Sequence, residues 1–174
     1  MNGSGAGSGQ PILTTARMIF RPFTRDDLSL IAELHRDPEV GRYMGGIWSN
    51  DEIAAALERF VTEHATRGHS KWAVFTTEGA FVGRAGISLW PRTGELELGY
   101  AFRPEFWGQG LATEAARAIA DWAFAHTDVD HIIAFTDPQN FGSQRVLERI
   151  GMTRLGDRDM GFGGPSAYFE MKRP

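Results

Sequence analysis

Trp107-Gly108-Gln109-Gly110-Leu111-Ala112-Thr113-Glu114-Ala115 sets two glycines at the mouth of a helix, directly after a stretch that reads as a strand. Gly108 and Gly110 open backbone conformations that residues with a Cβ rarely adopt, and they let the chain come close to a ligand. The N–H groups of residues 109 to 113 have no acceptor within the helix they begin, so they converge on one point. The positive end of the helix dipole lies at the same place, which makes an anion cradle able to hold a pyrophosphate without a dedicated lysine. Two familiar phosphate motifs are missing. A Walker loop ends in Gly-Lys-Ser/Thr, a tripeptide that does not occur here, and the dinucleotide fingerprint needs a third glycine where Thr113 stands.

Outward from this loop the chain alternates between elements with no internal repeat. Met18 to Phe23 reads as a first strand. Thr24 caps a helix carrying Leu28, Ile31 and Leu34 that ends before Asp37-Pro38. Ser49-Asn50-Asp51-Glu52 is a capping box that opens a second helix with Ile53, Ala56, Leu57, Phe60 and Val61 on one side, stopped by Gly68. Strands follow at Lys71–Thr76, Phe81–Trp90 and Glu95–Phe102, and the turns at Glu78-Gly79 and Pro91-Arg92-Thr93-Gly94 make them an antiparallel meander. Leu111, Ala115, Ala118, Ile119 and Trp122 recur at helical spacing, so the third helix packs on the sheet while its N-terminus faces the ligand. A strand at His131–Thr136, a helix at Phe141–Ile150 stopped by Gly151, and strands near Met152–Met160 and Ala167–Lys172 close the chain.

The 174 residues, 42% hydrophobic, suit one domain, expected over 11–174 behind a disordered Gly/Ser-rich tail at 1–10. Eighteen basic against 22 acidic residues leave a net charge of −4, no basis for broad nucleic-acid binding. The absence of cysteine excludes disulfides, thiolate metal sites and a cysteine nucleophile, so any group transfer here would be direct rather than through a cysteine intermediate. No apolar run approaches the ~20 residues of a membrane span, and Met1 to Gln10 lacks a signal peptide's apolar region. A cytoplasmic protein is expected. The five histidines, His35, His64, His69, His126 and His131, show no metal spacing and read as structural or surface groups.

The chain resembles the GNAT superfamily of acyl-CoA-dependent N-acetyltransferases, in particular its RimJ/RimL-like branch. The likeness begins at Ile19-Phe20-Arg21-Pro22, passes through Asp37-Pro38-Glu39-Val40, peaks over Glu97 to Ala115 and continues through Asn140 to Met152. The family pattern asks for Gln or Arg, two residues, Gly, one residue, then Gly or Ala. Gly110 and Ala112 match it, and Trp107 replaces the opening residue. The resemblance implies an α/β (α+β) fold with a mixed, mostly antiparallel twisted sheet of about seven strands and about four helices. Its central strands, here Glu95–Phe102 and His131–Thr136, run parallel and splay apart to admit pantetheine. It also implies acetyl-CoA as cosubstrate, no metal, a protein N-terminal amine rather than a small-molecule amine as acceptor, and a monomer or homodimer.

Attack of a neutral amine on a thioester makes three demands. The negative oxygen needs a donor, and a backbone N–H around Tyr100, Ala101 and Phe102 is the candidate. The amine, with a pKa near ~10.4, must lose a proton, and Glu97 is the leading base. Glu97 and Glu95 project from the strand face opposite Leu96, Leu98 and Tyr100, and Glu95 lies nearer the turn. A solvated polar face is the alternative for that strand. The leaving thiolate needs a proton or hydrogen bond, and Ser143 is the candidate, turned inward on a helix capped by Asn140. The resemblance places Asn140 and Ser143 along the pantetheine arm with the serine as acid. The expected cosubstrate contacts are Tyr100, Ala101, Phe102, Trp107, Gly108, Gln109, Gly110, Leu111, Ala112, Thr113, Asn140, Ser143 and Arg145. The segments Tyr43–Trp48 and Gly161–Pro165 read as walls of the acceptor site or as packed connectors. A CoA-binding regulatory module with little turnover is the alternative function.

Overall fold

The computed structural model describes residues 10–174, so the expected tail lies outside the described residues except for Gln10. The elements, in chain order, are β1 (Leu13–Thr14), β2 (Met18–Arg21), α1 (Leu28–His35), α2 (Pro38–Gly41), α3 (Asn50–Arg67), β3 (Lys71–Thr76), β4 (Phe81–Leu89) and β5 (Leu96–Phe102). They are followed by α4 (Leu111–His126), β6 (His131–Thr136), α5 (Phe141–Arg149), β7 (Thr153–Asp159) and β8 (Pro165–Lys172), with short 3-10 turns at Arg25–Asp27 and Pro104–Phe106. The strands form one mixed sheet in the order β1-β2-β3-β4-β5-β6-β8-β7. Every neighbouring pair is antiparallel except β5 with β6.

Local signals place most of these boundaries. Thr24 and Asp27 form a capping box at the first 3-10 turn, which leads into α1. Ser49 and Glu52 form another at α3, which ends on Gly68 at φ 79°. The sheet has one helix layer on each face. On one, α4 and α5 bury Leu111, Ala115, Ile119 and Leu147 against Trp72, Val74, Ile87, Leu98, Ile132 and Phe169. On the other, α1 and α3 bury Ile31, Leu34, Ile53 and Phe60 against Ala73, Phe75 and Ala101. Each fully buried Leu or Ile contributes about 1.5–3 kcal/mol.

Two elements escaped the pattern reading. β1 has only two residues, too few to show alternation. Asp37-Pro38 does end α1, but it also begins a single turn, α2, in which Asp37 caps the N–H of Glu39 and Pro38 sits at N1, where no N–H is required.

A buried polar cluster locks α1 to β4. Arg84 donates from Nε to His35 Nε2 at 2.9 Å, and the imidazole stacks on Trp48 with ring centroids 3.5 Å apart. Burial, reinforced by the neighbouring guanidinium, pushes His35 down from 6.5 to about 2. The imidazole is therefore neutral in the fold, with Nε2 accepting. The unfolded chain takes up a proton below pH 6.5 that the folded chain refuses, so acidification favours unfolding. Between pH 6.5 and 4.5 this one group is expected to remove about 2 kcal/mol of stability. Denaturant titrations at the two pH values, with His35→Gln flattening the dependence, check it.

Candidate active site

The glycine loop is preformed. Gly108 and Gly110 sit at φ 71° and 77°, and Gly110 caps α4 in the left-handed region without a side-chain hydrogen bond. Among the described residues, no backbone or side-chain acceptor meets the N–H groups of Gly108 to Thr113. They stand beside the end of β5 because Trp107 donates from Nε1 to the Phe102 carbonyl at 2.8 Å. A residue that the sequence reading passed over adds charge here: Arg17 donates from Nη1 to the Gln109 carbonyl at 2.8 Å and pairs with Glu114 at 3.1 Å. No local pattern marks Arg17, which reaches the loop only because β2 begins beside it. This cradle fits a pyrophosphate: its donors are free, and glycines stand where the backbone takes a left-handed turn. Trp107→Phe keeps the ring and removes one hydrogen bond, worth ~0.5–1.5 kcal/mol, so acetyl-CoA affinity should fall about 3- to 10-fold by titration calorimetry.

Beside the loop the sheet opens. β5 and β6 are in register only at Glu97 and Ile133, and they separate beyond that pair. Arg103 donates its N–H to Val82 on β4 at 2.8 Å, so alternation along the strand turns the N–H groups of Tyr100 and Phe102 toward β6, into the gap. Ala101 faces the α1/α3 side, where it is buried. The Tyr100 side chain faces α5, and its hydroxyl lies 3.0 Å from Ser143 Oγ. Ser143 stands in the first turn of α5, where its N–H donates to Asn140 Oδ1 at 3.1 Å. Burial pushes the Tyr100 phenol up to about 12, with Ser143 opposing in part, so Tyr100 keeps its proton at neutral pH. Leu111 is sealed in the core, leaving only its backbone to the loop, Ala112 and Thr113 are half-buried, and Arg145 points outward from α5.

On the opposite face of β5 the alternative reading, a solvated strip, is not what forms around Glu97. Glu97 Oε2 accepts from Lys71 Nζ at 2.6 Å, with the two side chains 14% and 7% exposed. Glu95 is engaged with His131 Nε2 at 2.6 Å, while Glu97 stands at the residue where β5 and β6 are in register, at the head of the gap. Trp90 and Phe135 flank that face with ring centroids 4.8 Å apart, and Phe162, 67% exposed, lies 5.8 Å from each. The Gly161–Pro165 loop thus forms an aromatic wall. In the Tyr43–Trp48 segment, Trp48 is anchored on His35 and Ile47 is exposed. Among the described residues, no three His, Cys, Asp or Glu side chains are grouped to hold a metal ion.

A mixed sheet whose one parallel pair parts beside a glycine-opened helix N-terminus can admit an extended ligand that ends in a pyrophosphate. The chain belongs to the acetyltransferase (GNAT) domain family, whose model matches residues 17–153, and it is an acetyl-CoA-dependent acetyltransferase. It is 31% identical over 148 residues to the uncharacterized N-acetyltransferase YnaD of Bacillus subtilis, covering 83% of this chain and 84% of that protein. It is 32% identical over 158 residues to the FsC-acetyl coenzyme A-N(2)-transacetylase of Aspergillus fumigatus, covering 84% of this chain and 66% of that one. The crystal structure of an acetyltransferase from Agrobacterium tumefaciens superposes with a TM-score of 0.81 at 26% identity, over 99% of this chain and 100% of that chain.

Proposed function

We propose that this enzyme passes the acetyl group of acetyl-CoA directly to a primary amine within a ternary complex, with a protein N-terminal amine as the preferred acceptor. The observation that carries the reading is the gap between β5 and β6, with a carboxylate on one face and a hydroxyl pair on the other. Acetyl-CoA supplies the activated thioester. The N–H groups from Gly108 to Thr113 hold its pyrophosphate, with Trp107 and Gln109 shaping the loop, while Asn140, Ser143 and Arg145 lie along α5 on the cosubstrate's side. Glu97 takes a proton from the incoming ammonium group. The N–H groups of Tyr100 and Phe102 receive the charge that grows on the acyl oxygen. Ser143, hydrogen-bonded to the protonated Tyr100, delivers a proton to the departing sulfur and regains one from the second proton that the nitrogen releases as the amide forms.

The acceptor enters on the α1/α3 face, between Trp90, Phe135 and Phe162 and the exposed Ile47. An extended chain end can run along such an open, apolar-walled approach, and the residue likeness to the RimJ/RimL-like branch supports the same acceptor. The test is calorimetric titration with acetyl-CoA, CoA and ADP beside a free-thiol assay over N-terminal peptides and small amines. Thiol release with peptides supports the reading, and release with small amines alone overturns the acceptor. Binding without release on any acceptor favours the regulatory module, and no CoA binding overturns the cradle.

A further inference from the structure

Lys71 opens β3, where it is followed by the apolar Trp72, Ala73, Val74 and Phe75, and its side chain crosses the sheet to reach its partner. Register places Lys71 opposite Gly86 on β4, and Gly86 opposite Gly99 on β5. The stem runs over these two glycines: a Cβ built on Gly99 would fall 2.9 Å from Lys71 Cε, 3.1 Å from Nζ and 2.6 Å from Glu97 Oε1. At its end Nζ donates twice to the same residue, to the Glu97 carboxylate at 2.6 Å and to the Glu97 carbonyl at 3.1 Å. Glu97 is also the last point at which β5 and β6 are in register.

We propose that Lys71 is a positioning residue of the transfer reaction, clamping both the carboxylate and the peptide of Glu97 at the head of the gap so that the carboxylate stays aimed at the acceptor amine. This rests on the reading of Glu97 as the base. The clamp does two things at once. It fixes a long side chain that would otherwise sample several rotamers, and it holds the backbone of β5 where the strand leaves β6, just before the free N–H groups of Tyr100 and Phe102. The stoichiometry is unaffected: the acceptor ammonium gives a proton to Glu97, and Lys71 keeps its own.

The charges around the pair are accounted for. From α3, Glu63 faces Lys71, yet it already accepts from the Leu89 N–H at 2.8 Å and the Ser70 hydroxyl at 3.3 Å. From β4, Arg84 faces the pair, with Arg59 of α3 behind it. Burial pushes the Lys71 ammonium below its ordinary value and Glu97 opposes that shift, so each charge depends on the other. Without Lys71, the Glu97 carboxylate loses the ammonium that donates to it at 2.6 Å.

The experiment compares Lys71→Met, Lys71→Arg and Glu97→Gln in full-length protein for kcat, KM and the pH profile of kcat/KM, with acetyl-CoA affinity and thermal unfolding measured alongside. Lys71→Met is expected to lower kcat at least about 10-fold, to leave acetyl-CoA affinity within about two-fold, and to move the acid limb of kcat/KM up by about one pH unit or more. Lys71→Arg keeps the charge but not the fit over the glycines, so it should lower kcat with the acid limb unmoved. If Lys71→Met does not fold, Lys71→Arg decides, since unchanged kcat there overturns the clamp. An unmoved acid limb and unchanged kcat in a folded Lys71→Met, with Glu97→Gln inactive, overturn the clamp and leave the base standing. Full turnover in Glu97→Gln overturns the base itself.

Discussion

Glu97→Gln is expected to lower kcat by about 10²–10⁴-fold, the range a positioned general base supplies, with acetyl-CoA affinity within about two-fold of the parent. The substitution keeps the shape of the side chain and an oxygen that can still accept from Lys71 at the position now 2.6 Å away. What it loses is the ability to take a proton. In the proposed reading acetyl-CoA is held at the glycine loop and along α5, away from this face of β5, so its binding should be spared. The Lys71 ammonium loses its counter-charge in a site where its side chain is only 7% exposed, so a drop in melting temperature is also expected and kinetics are to be measured well below it. Steady-state rates with saturating acetyl-CoA and a reactive peptide decide the matter, and a loss of less than about 10-fold would move the base to a water chain.

Gly86→Ala is expected to cost about 3 kcal/mol or more, or to prevent folding. A Cβ at this position would lie 2.0 Å from the Ser70 carbonyl oxygen and 2.9 Å from Lys71 Cα. Both are backbone atoms of the neighbouring strand, held there by the Ile87 N–H bonded to Ser70 at 3.0 Å, so no rotamer change relieves the overlap. Either β3 moves away from β4 and the Lys71–Glu97 clamp with it, or the pairing fails locally. Gly142→Ala is the control: in the first turn of α5 its Cβ would meet only Asn140 Oδ1 at 3.8 Å. Relieved of glycine's entropy in a helix, that variant should be neutral or more stable by up to about 1 kcal/mol. Denaturant unfolding of the pair gives the comparison, and similar stabilities would show that the sheet can yield at residue 86.

Much of the scaffold was legible because its signals are local. Caps at Thr24, Ser49 and Asn140, stops at Gly68 and Gly151, and the glycines of the phosphate loop each act within one turn of chain, where neighbouring residues alone set the geometry. Strand alternation likewise sorted Glu97 from Leu98, and helical spacing turned Ser143 toward the sheet. The Lys71–Glu97 pair was not legible. Its partners are 26 residues apart and meet only through the register of three strands and the gaps above two glycines. Arg17 at the loop and Arg84 on His35 are of the same kind, contacts 92 and 49 residues apart in sequence. By itself, then, the sequence determined most of the segments that become helices and strands, where the glycine loop lies, and which face of β5 carries its carboxylates. Only the tertiary structure decided what each buried charge would face, because burial raises the energetic stakes of every charged group while pairing register, a non-local quantity, selects the partner that compensates it.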